Sequence, residues 1–223
     1  MTQSARPLQA RILIGALVWL ACLEFFLIPL VVQGATTGYS PRDHDLSYLG
    51  LSGCGTFTDP ITRTEADICS PLHLWFNISL TLLGALMIIG LLLTRPLWPR
   101  GKLTKVGHVF YAVAGLGAMA AGVWPVDVSM PVHIAGAMLN FLLGSIGMVL
   151  LGLALRNHAP GPATIGLAIG IITLAGFALY GAGIYLGLGR GGMERVGAYA
   201  ATLWPPAMGL MILSGRLRPP AEA

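Results

Sequence analysis

Read for hydrophobic and polar positions, the chain falls into six apolar stretches separated by short polar breaks and one long one. They run over about Ile12 to Val32, Leu74 to Leu93, Val106 to Trp124, Val132 to Leu155, Ala163 to Leu186 and Val196 to Ser214. Crossing about 30 Å of hydrocarbon takes roughly 20 apolar residues as an α-helix, so each stretch predicts a transmembrane helix. Proline, glycine or charge bounds every stretch, as it must where irregular backbone leaves lipid. The pattern predicts an all-α fold, a polytopic six-transmembrane-helix bundle forming a single domain over residues 1–223 with a long outer loop over 33–71.

Composition agrees. Hydrophobic residues make up 55% of the chain and charged ones 10%, with a mean hydropathy of +0.76, whereas soluble domains carry charge on roughly a quarter of their residues. The 30 glycines and 15 prolines lie within apolar runs, where glycine lets membrane helices approach closely, so they do not signal disorder.

Charge orients the bundle. With a cytoplasmic N-terminus, nine cations lie inside (Arg6, Arg11, Arg95, Arg100, Lys102, Lys105, Arg156, Arg216, Arg218) against four outside (Arg42, Arg63, Arg190, Arg195). That bias follows the positive-inside rule. It predicts a multi-pass protein of the cell (inner) membrane with both termini cytoplasmic. The acids Asp43, Asp45, Asp59, Glu65, Asp67, Asp127 and Glu194 fall outside. The pI of about 9.2 therefore reflects topology and implies no nucleic-acid partner; the expected partners are membrane lipids, with a membrane-protein partner or a second copy left open. Arg6 and Arg11 before an apolar stretch resemble a secretory signal, but the stretch exceeds the roughly 7 to 15 residues of a signal core and no A-x-A site follows, so it is expected to be retained.

Cys54 and Cys69 share the outer loop, while Cys22 lies within the first helix. A disulfide is allowed outside the cytoplasm; a Cys54–Cys69 bridge is the expectation and two free thiols the alternative, decided by Cα geometry. The loop is longer than a connector requires, and its "DLSYLGLSG" spaces Leu and Tyr as a short amphipathic element for the membrane surface. Trp98 and His108, by contrast, read as an interfacial aromatic and a membrane-edge histidine.

The second and fourth helices begin alike, "SPLHLWFN" and "SMPVHIAGAMLN". Ser70 and Ser129 followed by Pro71 and Pro131 are helix-start signals, with the hydroxyl accepting from free backbone N–H groups. Helical spacing then places His73 with Asn77 on one face, and His133 with Asn140 on another. Gly136, Asn140 and Gly144 form a stripe suited to close packing, which turns the Asn140 amide inward. Glu24 is a carboxylate at membrane depth, a functional mark by default or a neutral group bonded to a neighbouring helix. Asp45, Asp127, Arg190, Glu194 and Arg195 project to the same side, so an outer polar pocket is expected from Glu24, Asp45, Ser47, His73, Asn77, Asp127, His133, Asn140, Arg190 and Arg195.

Asp45, His73, Asp127 and His133 are the residues that would ligate zinc if a metal were present, but no H-E-x-x-H or comparable spacing joins two on one element, and no metal or other cofactor is expected. A nucleophile at Ser47 can be written with a histidine and an aspartate, yet nothing marks it as activated. The "NIS" at Asn77 matches a glycosylation sequon but lies in a helix. Phosphate loops, dinucleotide fingerprints and CxxC are absent from the sequence.

The segments "HDLSYLG", "LTLLGAL", "AGVWPVD", "PVHIAGAMLNF" and "GGMERVGAYAATLWPPAMGLMIL" together resemble the bacterial and archaeal membrane proteins called domain of unknown function 998, over about residues 10 to 214. The resemblance implies a six-helix membrane protein, distantly similar to eukaryotic six-helix proteins of glycolipid-anchor remodelling, autophagy modulation and plasma-membrane lipid organisation. It places the family's shared polar marks on Asp45, Ser47, Asn77, Asp127 and His133. The chain departs at Trp124, where the family usually has Phe, and at Ile134, where Asn often follows the histidine. The family name carries architecture and little chemistry. The expected function is a non-catalytic membrane protein whose outer pocket holds a lipid headgroup or small polar ligand, with Arg190 and Arg195 suited to phosphate. A metal-assisted lipid hydrolase or transferase using Asp127 and His133 is the alternative, and a small transporter using Glu24 the third.

Overall fold

The computed structural model describes residues 5–59 and 61–220. Helices α1 (Ala5–Ala21) and α2 (Glu24–Ala35) make the first span. Between them the chain tightens, and the N–H groups of Cys22 and Leu23 reach back to the carbonyls of Trp19 and Leu20. The second and third spans are α3 (His73–Thr94) and α4 (Lys102–Val123). In the fourth, α5 (Met130–Met138) and α6 (Gly144–Leu155) meet through a π-helical turn at Leu139–Leu143; α7 (Pro160–Gly181) and α8 (Arg190–Leu213) complete the set. Six rods among the described residues are long and apolar enough to cross a membrane.

Each span packs against its neighbours in sequence, and α8 returns to α1, so the bundle closes into a ring. Lipid tails are as apolar as leucine, so packing rather than water exclusion must hold such helices together. Glycine makes that packing close. A Cβ on Gly84 of α3 would lie 2.3 Å from the Gly115 carbonyl oxygen of α4, and one on Gly117 would lie 2.5 Å from that of Gly136 on α5.

The last helix starts earlier than its apolar stretch suggests. Gly189, at φ 78°, turns the chain where a side chain would strike the Arg42 carbonyl. Arg190, Glu194 and Arg195 therefore stand on the first turns of α8 instead of in a loop. The serine caps differ as well: neither Ser70 nor Ser129 caps a helix through its side chain. The Ser70 hydroxyl donates instead to the Leu49 carbonyl at 2.7 Å.

The two halves of the ring interior are filled differently. Toward the end bearing the Arg95–Lys105 connection, Trp204 meets Trp19 at 5.4 Å, Tyr111 at 4.6 Å and Trp98 at 6.1 Å between ring centroids. Trp98 is buried in this cluster and His108 packs edge-on against it, which corrects the interfacial reading: the indole fills the space among α1, α4 and α8. The other half, nearer the long loop, mixes Phe25, Phe76 and Phe141 with the small Ala118, Ala121, Ala137 and Ala198 and leaves an open space among them.

The loop folds over that second half as a lid. Strands β1 (Gly55–Thr58) and β2 (Glu65–Ile68) pair antiparallel, with Gly55 opposite Ile68 and Thr58 opposite Glu65. Cys54 and Cys69 are joined, their Cα atoms 4.2 Å apart, and Thr37 bridges to Cys69. The 3₁₀ turn Leu46–Gly50 does not lie along a membrane surface. Leu46 and Leu49 are buried against the bundle core, whereas Tyr48 and Leu51 are buried with Ile68 and Val126 in a second cluster.

Candidate functional site: a lidded cavity at the loop end

The polar residues of this end divide into those that fasten the lid and those that face the space beneath it. Asp45, which immediately precedes the 3₁₀ turn, is gripped at two points by Arg190, Nε to Oδ1 at 2.8 Å and a terminal nitrogen to Oδ2 at 2.7 Å. The Tyr180 hydroxyl donates to the same Oδ2 at 2.6 Å. Arg190 also reaches Asp59 at 3.4 Å, and Asp59 accepts from the Tyr48 hydroxyl and from the amides of Ile61 and Thr62. Burial pushes the Asp59 carboxyl up, but these donors and the guanidinium outweigh it and hold the group below its usual value. The Tyr48 phenol is pushed up by burial, by its bond to Asp59 and by the charges of Asp45 and Asp59.

Other anchors enclose the turn from the remaining sides. Asn77 donates to the Gly50 carbonyl at 2.9 Å from α3. Asp127, in the turn between α4 and α5, accepts from the Ser52 amide and hydroxyl at 2.7 Å each. Arg195 donates to the carbonyls of Pro41 at 2.8 Å and Gly191 at 2.9 Å and to the Tyr39 hydroxyl. Both guanidinium groups that the sequence offers to phosphate are thus engaged within the protein. His73 bonds the Ser70 carbonyl at 2.9 Å. The Glu24 carboxylate lies deeper; Oε2 accepts from the Ser79 hydroxyl at 2.5 Å, and Oε1 is buried without a partner among the described residues.

Beneath the lid lies a cavity of about 500 Å³ of empty space, its open mouth included. Its wall is chiefly apolar, with Phe25, Phe76, Leu80, Leu83 and Phe141 and the small Ala118, Ala121, Ala137 and Ala198; Ser47, His133, Asn140, Glu194 and Thr202 add polar atoms. Of the ten side chains the sequence proposes for a pocket, Ser47, His133 and Asn140 line it, and Asp45, Asn77, Asp127, Arg190 and Arg195 secure the lid. His73 and Glu24 make local contacts elsewhere. The sequence reading placed Glu194 near the mouth but left it out of the pocket set; its i+4 relation to Arg190 on an earlier-starting helix was the available signal.

The ring of His133 is 6% exposed, and Nδ1 faces the carbonyls of Ala121 at 2.9 Å and Trp124 at 3.1 Å. Both are acceptors, so Nδ1 carries the proton and Nε2 presents a lone pair. No hydrogen bond joins Ser47 to His133 among the described residues, and no three His, Cys, Asp or Glu side chains there converge as a metal set. Asp45, His73, Asp127 and His133 each have a separate local role.

Fold and site define a class, the polytopic helical membrane protein with a lidded interhelical cavity. The chain belongs to the family described as Protein of unknown function (DUF998), whose model matches residues 13–211. No curated protein and no solved structure matches it.

Proposed function

We propose that this protein is a non-enzymatic binding protein of the bacterial inner membrane that holds a small amphiphile beneath its lid, with the loop end facing away from the cytoplasm and both termini in it. The orientation rests on the nine cations against four in the flanking segments. The binding reading rests on one observation: an opening among the spans with an apolar wall and a few polar groups on it. Ligand sites generally have that lining, with apolar surface supplying affinity and sparse polar atoms fixing orientation. In this reading an acyl chain entering through the open mouth lies against Phe76, Leu80 and Leu83, with its head group near His133 and Ser47.

The test is lipid analysis of the purified full chain. Ala137→Phe projects a ring into the cavity and should remove a copurifying amphiphile while the helical content stays unchanged. A bound complement identical in both proteins would contradict the reading.

A further inference from the structure

The polar atoms of the cavity wall are unequal in kind. In the neutral ring His133 Nε2 is an acceptor, because Nδ1 donates to the Ala121 and Trp124 carbonyls. Thr202 donates its hydroxyl proton to the Ala198 carbonyl at 2.9 Å, leaving oxygen lone pairs. Asn140 donates to the Ala114 carbonyl at 3.1 Å and keeps its own carbonyl oxygen and one N–H. Glu194 accepts from the Leu46 amide through Oε2, and Oε1 has no hydrogen-bond partner among the described residues. Acceptors therefore outnumber donors, the remaining donors being the Ser47 hydroxyl and that single amide hydrogen.

Charge points the same way. No lysine or arginine lines the cavity, and Glu194 is the acid that does. At the mouth, Arg190 pairs with both Asp45 and Asp59, whereas Glu194 lies in no ion pair among the described residues. The cavity wall thus carries a carboxyl oxygen and a histidine Nε2, neither with a hydrogen-bond partner among the described residues. An anionic head would meet acceptors and a carboxylate there; a donor head carrying positive charge would satisfy both.

Resting on the cavity reading above, we infer that the head group held beneath the lid is cationic, a primary ammonium on an aliphatic chain, and that Glu194 and His133 receive it. At neutral pH an alkylamine is protonated, like a lysine side chain with its usual value near 10.4, and carries three donors. Hydrogen bonds to ionised groups are roughly twice as strong as neutral ones.

The experiment uses the full chain in phosphatidylcholine nanodiscs, with empty nanodiscs as the partition control, and compares dodecylamine, dodecanol and dodecyl phosphate. The amine should bind about tenfold more tightly than the alcohol, as one charge-assisted bond allows, and the phosphate more weakly than either. Glu194→Gln, whose amide oxygen still accepts from Leu46, should bring the amine to the level of the alcohol without changing alcohol binding. Ala137→Phe should abolish both. Equal binding of amine and alcohol, or preference for the phosphate, overturns the inference while leaving the cavity reading standing. Failure of all three probes to bind, or binding of each unaffected by Ala137→Phe, overturns the cavity reading itself. Thermal unfolding of each variant separates loss of affinity from loss of fold, and should Glu194→Gln not fold, His133→Phe, which removes the acceptor nitrogen, must lower amine binding more than alcohol binding.

Discussion

Arg190 holds Asp45 in a two-point ion pair, with side chains 14% and 8% exposed. The pair ties the residue before the lid turn to the first turn of the last helix. Removing one partner of such a pair leaves the other charge buried and uncompensated, which costs roughly 3–5 kcal/mol. Arg190→Ala and Asp45→Ala should each lower Tm markedly, and Arg190→Lys should fall between them and the parent because an ammonium cannot match the forked geometry. The double variant Asp45→Ala with Arg190→Ala should lose less than the sum of the two single losses. Additive losses in this cycle, measured by thermal unfolding in detergent, would show that the two residues do not act as a pair.

The lid also depends on its disulfide. Cys54 and Cys69 are 15 residues apart, and closing a loop of that size is worth about 3 kcal/mol in the chain-entropy model. Replacing both by serine should raise amide exchange across β1 and β2 while the transmembrane amides remain protected. Equal exchange in parent and variant would mean that the hairpin is held by its strand pairing and anchors alone.

Asp59 makes the lid sensitive to acid. Its folded-state carboxyl lies below the usual value. Such a group contributes stability fully above its unfolded value, about 3.9, and loses the contribution as pH falls through the lower folded value. The parent Tm should therefore drop between about pH 5 and pH 3, and Asp59→Asn, already less stable at the higher pH, should drop less. Parallel curves for the two proteins would place the acid sensitivity elsewhere.

Close helix approach predicts the sign of two glycine substitutions. Gly84→Ala and Gly117→Ala each drive a methyl group against backbone of the facing helix, an overpacking that typically costs 1–3 kcal/mol. Gly161→Ala, where nothing lies within 4 Å of the added carbon, is the control and should leave Tm near that of the parent.

Much of the architecture was legible in the sequence because hydrocarbon thickness fixes the length of a span and allows few other solutions. The six stretches and the position of the long loop follow from that constraint. The lid did not. Apolar periodicity gives "DLSYLG" a face to bury but not what buries it, and the bundle mouth competes with the membrane surface for Leu46 and Leu49. Trp98 was placed at the interface for a similar reason: position in a basic connection is a local cue, whereas its stacking on Trp204 depends on a helix more than a hundred positions away in the chain. Of the polar residues read as one pocket, Ser47, His133 and Asn140 line the cavity, while Asp45, Asn77, Asp127, Arg190 and Arg195 secure the lid. What sequence could not distinguish is a carboxylate spent wholly on fastening the lid, as Asp127 is on Ser52, from one that fastens it and also lines the cavity, as Glu194 does. That difference depends on rotamer and register, which only the packed chain settles.

The most direct test of the account is an experimental density map of the protein in a lipid nanodisc, with native lipids retained. Elongated density should occupy the cavity between Leu83 and His133, its polar end beneath Ser47 and Glu194, and it should vanish in Ala137→Phe. A cavity filled only by side chains, or holding water alone with the lid seated over it, would contradict the proposal that this protein binds an amphiphile.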